Sequence, residues 1–254
     1  MELIDSHCHL YALEQASTEQ IISNAEKAFI KEIVCIGASN GYQSATDSVT
    51  LSQKFPNVFA TIGIHPHCSG KFQEIKKLEH LADNPKVVAI GETGLDFFRD
   101  WAPVENQYQV FRDTIAFAKN HKKPLIIHCR TAGEECLKVL KEEHAEYVGG
   151  VFHCFAEDAE YAKKLVDLNF IVSIPGTLTF KSATQLRETV KAIPLERIML
   201  ETDAPYMAPE PFRGKPSEPA HVLYIAKKLA EVKDISLEEV ARVTTNTARK
   251  FFGI

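Results

Sequence analysis

Leu3-Ile4-Asp5-Ser6-His7-Cys8-His9 opens the chain with a short apolar run that ends in a His-x-His pair, and units of this kind recur along the sequence. In an extended segment the side-chain period is two, so His7 and His9 are predicted to share a face that Cys8 leaves. Two neutral imidazoles on one face can share a divalent cation, whereas two surface or hydrogen-bonded histidines need no common partner. The choice between these rests on where the other candidate ligands fall.

Beyond this stretch, apolar and β-branched runs predict strands near 2–6, 32–37, 58–63, 87–91, 124–128, 149–153, 170–174 and 197–201. Spacings of three and four predict helices over about 17–29, 42–54, 72–83, 104–121, 132–145, 158–168, 182–192 and 219–232. In 104–121, Val104, Tyr108, Phe111, Ile115 and Ala118 form the expected apolar face. Ser17 and Ser182 are expected to cap their helices, and Ser236 to Gly253 predicts one more helix, opened by a capping box and closed by glycine. This alternation, with no low-complexity linker, predicts an α/β fold, a single (β/α)8 TIM-type barrel over residues 1–254, in preference to an open doubly wound sheet.

A barrel gathers its chemistry at the carboxyl ends of its strands. Polar residues stand there in turn: His7 and His9, His65 and His67, Glu92, His128, His153 and Asp203. Singly, each has a plain structural role, a histidine capping a carbonyl or a carboxylate starting a helix. Together they make more nitrogen and oxygen donors than one tetrahedral zinc uses, and suit two divalent ions sharing a carboxylate, for which Glu92 is the natural bridge. His80, His121, His144 and His221 fall in helical stretches and are assigned surface or packing roles. Alternation turns Cys8, Cys129 and Cys154 away from their neighbouring histidines, as small buried hydrophobes.

The net charge of −5 excludes a non-specific nucleic-acid coat protein but not an enzyme that grips nucleic acid locally. The six cysteines include no CxxC pair, and no secretory leader is evident, so a cytoplasmic protein with reduced thiols is expected. No apolar run approaches the roughly 20 residues of a membrane span, and no obligate protein partner is evident.

The motifs Asp5-Ser6-His7-Cys8-His9-Leu10, Gly63-Ile64-His65-Pro66-His67, Gly91-Glu92-Thr93-Gly94-Leu95-Asp96, Ile127-His128-Cys129-Arg130, Phe152-His153-Cys154-Phe155 and Glu201-Thr202-Asp203-Ala204-Pro205-Tyr206, with Arg213-Gly214-Lys215 beyond, resemble those of the TatD-type metal-dependent hydrolases, a branch of the amidohydrolase-like barrels. The resemblance implies one ion held by His7, His9, Glu92 and Asp203 and a second by Glu92, His128 and His153. It also implies deoxyribonuclease activity, chiefly removal of nucleotides from 3′ ends, with Mg2+ supporting turnover and Zn2+, Mn2+ or Ni2+ as other ions the site could bind. The chain departs from the usual pattern at Thr131, Ala156-Glu157-Asp158, Pro216-Ser217 and Phe98, none of them a ligand position.

The expected chemistry is hydrolysis of an ester bond by metal-activated water, with Asp203 as general base, Glu92 shared between the ions, Glu201 supporting the ligands, and His65, Arg130 and Arg213 contacting substrate phosphates. An exposed salt bridge is the plain alternative for each arginine. The expected partner is a nucleic acid substrate, DNA or else RNA or tRNA. A competing function is hydrolysis of a carbonyl centre, in a D-aminoacyl-tRNA ester or a small amide or lactone. Many barrels of that kind bridge their metals with a carboxylated lysine, and Glu92 stands at the end of strand four instead. A non-catalytic metal scaffold is the third reading, and it would need no general base.

Overall fold

Runs rich in Ile, Val and Leu extend and pair, while the amphipathic stretches between them coil and cover them. The computed structural model describes residues 1–71 and 75–254. The strands are β1 (Leu3–Cys8), β2 (Ile30–Gly37), β3 (Val58–Ile62), β4 (Val87–Asp96), β5 (Leu125–Arg130), β6 (Gly150–Phe152), β7 (Phe170–Ile174) and β8 (Ile198–Leu200). The helices are α1 (Thr18–Lys27), α2 (Gly41–Lys54), α3 (Glu79–Ala82), α4 (Val104–His121), α5 (Gly133–Glu142), α6 (Ala159–Asp167), α7 (Thr184–Ala192), α8 (Val222–Lys233) and α9 (Leu237–Phe252). The eight strands form one sheet in the order β1 to β8, and a parallel bridge from Cys8 to Ala204 returns the segment after β8 to β1. This is the expected (β/α)8 TIM-type barrel.

Backbone contacts divide the chain into two compact units. The first comprises Met1–Cys35, His153–Lys164 and Ile171–Ile254; here α8 and α9 pack on β1 and β8, and Thr245 donates to the Glu2 carbonyl at 2.9 Å. The second comprises Ile36–Phe152 and Leu165–Phe170; here β3, β4, β5 and β6 pair in sequence, α2 lies on β3 and α4 on β4. All ten residues of β4 and all six of β1 are buried, as strands covered on both faces must be.

Local expectations hold at several helix ends. Ser17 and Ser236 accept from the amides of Gln20 and Glu239 at 3.2 and 3.1 Å, and Gly253 closes α9 with φ 69°. Ser182 does not cap α7. That helix starts later, from Ala183, and the Arg187 guanidinium bonds the carbonyls of Phe180 and Lys181 ahead of it. The helix expected over 72–83 reduces, from residue 75 on, to the 3-10 turn Ile75–Leu78 and the single turn of α3; residues 72–74 lie outside those described.

The face predicted for α4 is rotated. Val104 is exposed, and Gln107, Val110, Phe111, Thr114, Ile115, Phe117 and Ala118 are buried. A buried glutamine defeats a hydrophobicity pattern, and its reason is local. The Gln107 carboxamide accepts from the Asp96 amide at 2.9 Å and donates to the carbonyls of Asp96 and Ala102 at 3.2 and 3.1 Å, so it is satisfied in the core.

His221 packs as expected, stacked on Phe212 at 4.3 Å, with Nδ1 accepting from the Glu218 amide at 3.3 Å. Burial pushes its imidazole down to about 4. An unfolded histidine titrates near pH 6.5, so below that pH the unfolded chain binds a proton that the native chain refuses, and stability falls as pH drops from about 6.5 towards 4. His221→Gln should therefore lose less stability between pH 7 and pH 5 than the wild type, by about 4–7 °C in Tm. Equal losses in thermal melts of the two proteins would contradict this. Among the described residues no helix is long and apolar enough to cross a membrane.

Candidate metal centre

Within the first unit, His7 lies in β1, His9 just beyond it, and Asp203 three residues past β8. Asp203 was expected to end strand eight. The strand stops at Leu200, and Asp203 sits at φ 54°, a left-handed conformation that Asp tolerates better than most residues. Its amide donates to the His7 carbonyl at 2.9 Å, which fixes its carboxylate beside the histidines. Asp203 Oδ1 is 3.6 Å from His7 Nε2 and 3.4 Å from His9 Nε2. The His153 ring stacks on His7 at 4.0 Å, and His7, His153 and Asp203 offer donor atoms within 4.8 Å of one another.

Asp5 and Glu201 brace this group. Asp5 accepts from the Thr202 amide and hydroxyl and from the His7 amide, tying β1 to the segment after β8. Burial nonetheless pushes its carboxyl up to about 8. Glu201 is fully buried, accepts from the Cys154 amide and lies 3.8 Å from His153 Nδ1. Burial pushes it up to about 7, against the pull of His153.

Cys154 corrects an expectation. Strand alternation was to turn it away, but β6 ends at Phe152 and Cys154 adopts φ 46°, which aims its Sγ at Asp203 Oδ2, 3.5 Å away. Its donor atom joins those of His153 and Glu201. Cys8 is fully buried as expected, whereas Cys129 is only half-buried, with its thiol beside that of Cys136 in α5.

Within the second unit, Glu92 Oε1 lies 2.9 Å from His128 Nδ1 and 3.4 Å from His65 Nε2. Asp96 Oδ2 takes His128 Nε2 at 3.0 Å and His67 Nε2 at 2.8 Å. Burial pushes the His65 imidazole down to about 4 and lowers His67 as well. Burial alone would raise Asp96, but hydrogen bonds from His128, the Arg99 amide and His67 outweigh it and hold the carboxylate well below its usual range.

Asp96 and His67 were not assigned roles from sequence. The signal was present: Asp96 is four residues from Glu92 and His67 two from His65, so each is in phase with a residue already chosen. What the period could not give is the bulge. In the β4–β5 register Gly91 faces Ile126 and Thr93 faces Ile127, leaving Glu92 as the extra residue, and β1 has a similar shift between Asp5 and Cys8, around His7. Bulges re-aim side chains beside functional sites, and an isolated glycine inside a strand is their sequence sign. Gly94, two residues on, has φ 139°, and a Cβ there would run into the His128 carbonyl oxygen. Gly94→Ala should cost at least about 2 kcal/mol of stability, read as a lower Tm, with reduced metal content.

The donors suit small divalent cations. Around an ion with bonds of about 2.0–2.2 Å, donor atoms sit roughly 3–3.6 Å apart. The separations of Asp203 from His7 and His9, 3.6 and 3.4 Å, fall in that range and are long for direct hydrogen bonds. Arg130 and Arg213, expected at substrate phosphates, are exposed, with guanidinium carbons 4.0 Å from the Phe98 ring centroid and 4.3 Å from that of Phe180.

Comparison with known proteins agrees with this donor chemistry. Residues 4–253 match the family model described as TatD related DNase. The chain is 41% identical to the uncharacterized metal-dependent hydrolase YabD of Bacillus subtilis, covering 99% of each. It is 37% identical to the metal-dependent hydrolase YcfH of Escherichia coli K12, covering 100% of this chain and 97% of that one. Among solved structures, YjjV, a TatD homolog from the same bacterium, superposes with a TM-score of 0.92 at 27% identity, covering 99% of this chain and 98% of that one.

Proposed function

The chain belongs to the TatD family of metal-dependent hydrolases, and on that premise we propose that it is a nuclease cleaving phosphodiester bonds of DNA, as a 3′–5′ exonuclease. His7, His9, Glu92 and Asp203 would hold one divalent ion, and Glu92, His128 and His153 would hold a second. Bound ions of this kind lower the pKa of water towards neutrality and offset charge on phosphoryl oxygens. Asp203 would accept the proton of the attacking water through Oδ2, the oxygen 3.5 Å from Cys154 Sγ. Glu201, Asp5 and Asp96 orient the histidines. His65 faces the substrate phosphate, and Arg130 and Arg213 supply cationic contacts at its flanks.

The observation that supports this reading is the donor set, buried and part-buried imidazoles with carboxylates, and Glu92 on β4, where many amidohydrolase-like barrels carry a carboxylated lysine instead. To test it, protein stripped by chelation and reconstituted with Mg2+, Mn2+ or Zn2+ is given labelled single-stranded DNA, RNA and a D-aminoacyl-tRNA. Mononucleotides should leave the 3′ end of DNA only when an ion is restored. Release of the amino acid with DNA left intact would replace this reading with the carbonyl one.

A further inference from the structure

Beside the His67, Asp96 and His128 group, the chain places two large rings in solvent. Trp101 is 64% exposed and Phe98 58% exposed, and Trp101 is the chain's single tryptophan. Burial does not account for them, since rings this open give up most of the free energy that a core aromatic contributes. The loop that carries them is braced. Asp96 Oδ1 accepts from the amides of Phe98 and Arg99 at 2.9 Å each, while its Oδ2 takes His67 and His128, so one carboxylate ties the loop to the histidines. Gln107 holds the loop's far end through the Ala102 carbonyl at 3.1 Å, and the Phe97 amide donates to the Arg130 carbonyl at 3.0 Å.

Cations accompany the rings. The guanidinium carbon of Arg99 lies 5.2 Å from the Trp101 centroid and 5.4 Å from that of Phe98, and Arg130 lies 4.0 Å from Phe98. The Trp101 ring meets His67 edge-on at 4.5 Å, one side chain away from Asp96. Exposed aromatic faces interleaved with guanidinium groups on an ordered loop match a chain of alternating bases and phosphates, because every base has a π-face and every phosphate takes an arginine.

We propose that the Phe98 and Trp101 rings offer stacking faces to nucleobases of a bound strand, with Arg99 and Arg130 on the adjoining phosphates. This deepens the nuclease reading and rests on it. Phe98 and Trp101 are positioning residues: they seat the strand and take no part in bond cleavage. Every base has a π-face, so base identity matters little.

The test uses the lone indole. Two phosphorothioate-linked single strands of equal length and charge, one with bases and one wholly abasic, are titrated into the intact metal-loaded protein while Trp101 emission is followed. The base-bearing strand should quench it, and the abasic strand should not. With cleavable DNA, Trp101→Ala should raise KM about tenfold with kcat little changed, and Trp101→Phe should restore most of the loss. Trp101 is exposed, so neither variant threatens the fold. Equal quenching by both strands, or an unchanged KM in Trp101→Ala, would overturn the platform while leaving the nuclease reading standing. Base-dependent quenching without cleavage of any strand would support the platform and remove the nuclease reading.

Discussion

Asparagine at position 203 is expected to lower turnover by about a hundredfold or more, the scale of a lost general base, while the protein keeps its fold and nearly all its metal. The fold should survive because the backbone does the holding. The Asp203 amide bonds the His7 carbonyl at 2.9 Å and the Asp203 carbonyl accepts from Tyr206 at 2.8 Å, and neither bond involves the side chain. Asn also tolerates the left-handed φ of 54° as well as Asp does. The amide oxygen can still face His7 and His9 as a neutral ligand, but the second oxygen, the one 3.5 Å from Cys154 Sγ, becomes an NH2 group that accepts no proton. Steady-state turnover on single-stranded DNA, with elemental analysis of the same sample, tests both halves. Wild-type turnover in Asp203→Asn would take the base role from this residue.

How much of this was legible in the chain differs by level. Seven of the strands were placed within two residues of their observed bounds, because a run such as Leu125-Ile126-Ile127 admits few other readings when long amphipathic stretches intervene. By contrast, β4 runs five residues past its expected end, through Glu92 to Asp96, since Glu92-Thr93-Gly94 breaks the apolar run without ending the strand. Glu92, His128 and Asp203 stood out for the same reason: each is a polar residue at the end of such a run. Departures from the period were hidden. Cys154 misled because a period of two holds only inside a strand, and the chain has already left β6 by residue 153. Gln107 misled because a polar group becomes buriable only when its partners are known, and those partners, Asp96 and Ala102, are five or more residues away. The rim at Phe98 and Trp101 left no periodic trace, since exposed aromatic residues in a loop have no pattern to break.

Glu92→Gln is expected to have an effect at least as large, and of a different kind: a fall in bound metal together with turnover lower by two or more orders of magnitude. Glu92 is 2% exposed and is the extra residue of the β4 bulge, so its backbone position does not depend on its charge, and glutamine fits the same space. What changes is the ligand. A carboxylate offers two anionic oxygens and can be shared by two cations, whereas a carboxamide offers one neutral oxygen and an NH2 that repels them. The NH2 can instead donate to His128 or His65, whose nitrogens lie 2.9 and 3.4 Å from Glu92 Oε1, locking an imidazole lone pair that would otherwise bind metal. Loss at a shared ligand should lower the occupancy of both ions, while His9→Ala, at a ligand assigned to one, should spare the other. Metal stoichiometry of the two variants, measured across a range of Mn2+ concentrations, separates these cases. Full occupancy in Glu92→Gln, or equal loss in both variants, would show that Glu92 is not the bridge.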